Sequence, residues 1–162
     1  MPIKPTRPAI LLVIVSLLLT MPWSCGQSTE AKYHAAEEAL EQGNSQAARR
    51  IYTDMLARQP VLPGAIEGMI HVTQIESATA EHVHWCEELI RYRPWDRHAN
   101  LVVGQHLVEE GNLKDAVVRF ILAYQNSEFK DEKKEALDGL NRVKEQLAAP
   151  SVQPASKDES NP

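Results

Sequence analysis

The chain has little of what small cross-linked folds and many enzymes depend on. It holds two cysteines in 162 residues, Cys25 and Cys86. If Cys25 is removed or modified, Cys86 stands alone, so this is not a disulfide scaffold. Its seven glycines are dispersed, and no glycine-rich run precedes a basic residue. That excludes a phosphate-cradling loop, and Gly64 and Gly68 read as two glycines in a helical segment. No nucleophile constellation is present. Basic residues are outnumbered, 17 against 22 acids, for a net charge of −5. An acidic chain repels phosphate backbones, so nucleic acid is excluded as a partner. The apolar run AILLVIVSLLLT at residues 9–20 falls short of the roughly 20 residues a membrane-spanning helix needs.

What is present begins with an address. Lys4 and Arg7 precede that apolar run, and MPWSCGQ with its small residues follows it. The order basic, apolar, small is that of a secretory signal, assigned here to residues 1–26. An uncleaved anchor is the alternative. Cys25, preceded by Ser24 and followed by Gly26, resembles the lipidation site of bacterial lipoproteins, although Pro22 and Trp23 depart from that motif. Lipidation at Cys25 would tether the domain to a membrane surface; plain cleavage nearby would release it. Loss of residues 1–24 removes two bases and no acid, leaving a charge of −7. The remainder, 43% hydrophobic and 24% charged over the whole chain, suits one globular domain.

An internal repeat organises that domain. QGNSQAARRIYTDMLARQP, residues 42–60, aligns with EGNLKDAVVRFILAYQNSE, residues 110–128, at an offset of 68, twice 34. Pro60 and Pro94 are 34 apart, as are Tyr52, Cys86 and Phe120 in turn. Each unit reads as two amphipathic helices. In the third, Leu101, Val103, Leu107 and Val108 mark the first helix, and Val117, Phe120, Ile121 and Tyr124 the second. Gly111-Asn112 makes the turn between them because both residues tolerate a left-handed backbone. Pro60 and Pro94 end the second helices of the first two units.

This pattern resembles the tetratricopeptide repeat family, whose period is 34 residues. The likeness is carried by Gly43, Ala48, Tyr52 and Pro60 in the first unit and by Gly104, Gly111, Ala116, Phe120 and Ala123 in the third. It implies an all-α solenoid of three helix pairs, at about 29–62, 63–96 and 97–130, with a capping helix at 131–147. Ala136, Leu137, Leu140, Val143 and Leu147 would form the inward face of that cap. The middle unit departs from the family, with His82 for a small residue, Cys86 for an aromatic, and no glycine in its turn Glu76-Ser77-Ala78-Thr79. Residues 148–162, rich in Pro and Ser and without periodicity, read as a disordered tail.

Few side chains suggest chemistry. His82 and Cys86, four apart, share a helix face with His84 nearby. Both types ligate zinc, but two ligands are too few, so no metal and no cofactor is expected. The bland reading makes Cys86 a small core residue. The acidic residues, among them Glu37, Glu38, Glu87, Glu88, Glu109 and Glu110, read as solvated faces, and no catalytic residue is assigned. Trp85, Tyr92 and Trp95 are expected to pack at the junction after the second unit.

The resemblance implies a binding role instead. First helices of this family line a concave surface that takes a peptide or partner protein. Equivalent offsets place Tyr33, Glu37, Glu67, His71, Gln74, His98, Leu101, Gln105 and Val108 there. The set has two acids, two histidines and no Lys or Arg, which speaks against capture of a C-terminal carboxylate. A neutral or basic segment with apolar anchors is the expected partner. The expectation is thus a non-enzymatic interaction module of the cell envelope, exported and membrane-tethered if Cys25 is acylated. A small metal-binding or enzyme-accessory protein and a structural spacer are the alternatives.

Overall fold

A computed structural model describes residues 28–148. The signal region with Cys25 and the tail from residue 149 lie outside the described residues. Seven helices follow one another, and no strand occurs among the described residues. They are α1 (Thr29–Glu41), α2 (Ser45–Arg58), α3 (Pro63–Ile75), α4 (Thr79–Tyr92), α5 (Arg97–Glu109), α6 (Leu113–Gln125) and α7 (Lys130–Ala148). The starts of α1, α3 and α5 are 34 residues apart, and so are the starts of α2, α4 and α6. None of these helices is long and apolar enough to cross a membrane.

Local sequence explains the breaks. Ser28 accepts a hydrogen bond from the amide of Ala31, Asn44 from Ala47 and Asp96 from Ala99, each satisfying a donor the helix start leaves open. Pro63 opens α3, where its missing amide is harmless. After α2 and α4 the chain reaches Pro60 and Pro94, one residue beyond the caps Gln59 and Arg93. Within the pairs, Gly43 and Gly111 take φ of 73° and 77°, the left-handed turn their position requires. In the middle pair Ser77 does the same at φ 55° without being glycine.

Each helix packs on its neighbours in sequence, and α1 also touches α3 and α5 touches α7. The core runs as three linked clusters along the chain. The first joins Ala36, Ala48, Tyr52, Met55 and Met69; the second Ile66, Ile70, Cys86, Leu89 and Val103; the third Leu101, Ala116, Phe120, Ala136 and Val143. Aromatic rings sit against glycines. A Cβ on Gly68 would overlap the Tyr52 ring, and one on Gly139 the Phe120 ring. Close helix approach at these points therefore depends on the missing side chain.

Some inward residues differ from expectation. Leu137 and Leu147 are exposed, and Gly139 takes the inward place beside Ala136 and Val143. Ile121 and Tyr124 are largely exposed while Phe120 is fully buried. Trp95 stands 60% exposed instead of packed at the junction, and Tyr92 is 37% exposed. Trp85 of that trio lies against the first two clusters, its indole donating to Glu81 at 3.3 Å.

Candidate functional site

The face formed by the odd-numbered helices carries two depressions. The first, of about 310 Å³, is lined by Tyr33 and Glu37 from α1 and by Glu67 and His71 from α3, among others. Tyr33 is half-buried and its ring rests on Gly64, whose bare Cα lets α1 and α3 close up. Glu37 and His71 are exposed, and Glu67 pairs with Arg93. The second depression, of about 480 Å³, collects Gln74 from α3 and His98, Leu101 and Gln105 from α5. Eight of the nine residues expected on the binding face thus lie in these two hollows. Val108 lines neither hollow: it is 8% exposed and belongs to the third core cluster. Leu101 contributes only an edge, being 7% exposed.

The second depression also contains residues that were not anticipated. Arg97 at the start of α5 and Glu135, Asp138 and Arg142 from α7 line it. Arg97 is engaged by Glu132 and Glu135 at 3.3 and 3.5 Å. A signal for two of them was available. Glu135 continues the 34-residue series Tyr33, Glu67, Leu101, and Arg142 continues Gln74, Val108. Treating α7 purely as a cap hid this. The face is therefore of mixed charge at the α5–α7 end and not free of arginine.

Behind the second depression lies a different cluster. His82 and Cys86 project from one face of α4, and His98 meets them from α5. One ring nitrogen of each histidine and Sγ of Cys86 all lie within 4.8 Å of one another. Cys86 has no exposure, and burial pushes its thiol up to about 12, with Asp96 and Glu87 adding to the effect. Burial, then the neighbouring His82, pushes the His98 imidazole down. The two rings meet edge to face at 5.6 Å. His82 Nδ1 lies 3.2 Å from the carbonyl of Ile70 and 3.1 Å from the hydroxyl of Thr73. A carbonyl only accepts, so the His82 proton belongs on Nδ1 and its Nε2 lone pair is free. Nε2 of His98 is buried without a hydrogen-bond partner among the described residues.

The sequence pairs His82 with Cys86 and places His98 on the groove. Only the packing of α4 on α5 unites the three.

No family model and no curated protein matches the chain. What the surface can bind must be read from its own chemistry.

Proposed function

We propose that this chain is a non-enzymatic, tetratricopeptide-like interaction module of the cell envelope, binding an extended segment of a partner protein across α1, α3 and α5. The observation that carries this reading is that side chains of the odd-numbered helices, two series of them at 34-residue offsets, line two hollows on one face. Tyr33, Glu37, Glu67 and His71 fill one, and Gln74, His98 and Gln105 the other. Such a row offers a half-buried aromatic for an apolar anchor and polar ends for backbone amides and carbonyls. Hollows this open suit a chain segment better than a small enclosed substrate. Glu37 and the acidic balance of the chain favour a neutral or basic segment, with acidic side chains of a partner confined to the Arg142 end.

The test is site-specific photo-crosslinking in the native host from His71 and Gln105, with Val118 as an exposed control on α6. Adducts to a protein from His71 and Gln105 but not from Val118 are expected. Adducts only from Val118, or from no position, would overturn the assignment of this face.

A further inference from the structure

The middle unit exchanges the sizes of its two key core residues. Where the outer units carry a small residue and then an aromatic, Ala48 with Tyr52 and Ala116 with Phe120, this unit carries His82 with Cys86. Volume alone is conserved by such an exchange. Polarity is not, because any apolar pair of that size would fill the space without bringing nitrogen into it. Instead an imidazole nitrogen of His98 is left buried and unpaired among the described residues, a state that is costly for a polar atom. Two further observations point the same way. Nδ1 of His82 is held by a backbone carbonyl, the arrangement that typically orients a metal-ligating imidazole and leaves Nε2 to bind. One ring nitrogen of each histidine and Cys86 Sγ form a triangle of donors no wider than 4.8 Å.

We propose that His82, Cys86 and His98 form a buried site for a single thiophilic metal ion, copper(I) in preference to zinc(II). Donors bonded to one such ion at about 2.0–2.3 Å stand roughly 3.3–4.0 Å apart. Closing the triangle therefore asks the donors to draw together by about 1 Å, within the reach of side-chain rotation. Binding exchanges one proton for one ion. The Cys86 thiol releases its proton to solvent as the sulfur–metal bond forms, the imidazoles stay neutral, and no oxidation state changes. Charge selects the ion. One thiolate and two neutral imidazoles around copper(I) make a neutral group, which an apolar cluster accepts. Zinc(II) would leave a net positive charge there and demand a fourth ligand. With Cys86 inaccessible, the ion does not meet a substrate. It braces α4 against α5 in the unit that departs most from the repeat.

The test is anaerobic titration of the full chain with copper(I) and, in parallel, zinc(II), each buffered by a competing chelator. One copper(I) per chain is expected, held at least about tenfold more tightly than zinc(II). Cys86→Ser and His98→Phe, each checked for retained helix by circular dichroism, should weaken it more than about 100-fold, since even outer-shell changes cost 10–100-fold. X-ray absorption at the copper edge of the unaltered chain should read one sulfur and two nitrogens, which decides the matter even if a variant fails to fold. No stoichiometric binding, binding unchanged in a folded variant, a copper shell lacking sulfur, or a preference for zinc(II) would overturn the proposal.

Discussion

At the scale of single residues, the same turn is built three times and once with the wrong residue. Gly43 and Gly111 adopt left-handed backbone freely, whereas Ser77 holds φ 55° with a Cβ, which costs an L-residue roughly 1–2 kcal/mol. Part of that cost is offset because glycine loses more freedom on folding. Ser77→Gly is therefore expected to stabilise the protein by about 0.5–1 kcal/mol, read as a rise in urea midpoint with unchanged slope. A lower midpoint would mean that the Ser77 side chain contributes more than its backbone strain takes away. The residue scale is also where the sequence was least legible. Pattern placed Val108 on the binding face by offset, but the third cluster closes over it. Trp95 looked like junction packing because it is large and aromatic, yet it stands in solvent. Neither outcome is encoded in the residue's own type or spacing; both depend on which neighbouring helix covers the position.

At the scale of elements, a guanidinium staples successive helices. Arg49 on α2 donates to Glu76 at 2.5 and 3.1 Å just beyond α3, and to Glu81 on α4 at 2.5 Å. Its hydrogen bonds hold both carboxyls below the usual carboxylate range. A depressed carboxyl adds stability that is fully present above its unfolded value, near 4.5, and is lost as pH falls through the folded one. These groups are partly solvated, so Arg49→Ala should cost only about 0.5–1 kcal/mol near neutrality, and less in high salt. The gap between variant and parent should narrow as pH falls from neutrality to below about 4.5, measured by urea unfolding. A gap that persists at the acid end would show that Arg49 acts through packing of its stem. Helix order was the most legible feature at this scale. The 34-residue spacing of Pro60 with Pro94, and of Gly43 with Gly111 twice over, places six helix starts, because these residues act locally on the backbone. The meeting of His98 with His82 and Cys86 was not legible, since it arises from how α4 lies on α5 and no local rule encodes that.

At the scale of the whole molecule, we propose that the residues before 28 act as an export address for the helices. The basic, apolar, small order of residues 1–26 leads us to expect cleavage on export. Mass spectrometry of protein from the native envelope should recover no peptide from residues 1–20, and an intact Met1 on most molecules would refute this. If Cys25 carries lipid, Cys25→Ser should move the protein from the membrane to the soluble fraction; unchanged fractionation would leave simple cleavage. The helices themselves pack only on near neighbours in sequence, and this has a kinetic consequence. Native contacts close short loops, so little chain entropy is lost before each contact repays it. Folding can begin at any helix pair and spread outward in either direction. The chain should therefore reach its native state rapidly as it emerges, pair by pair, with its terminal helices the first to open again once it is formed.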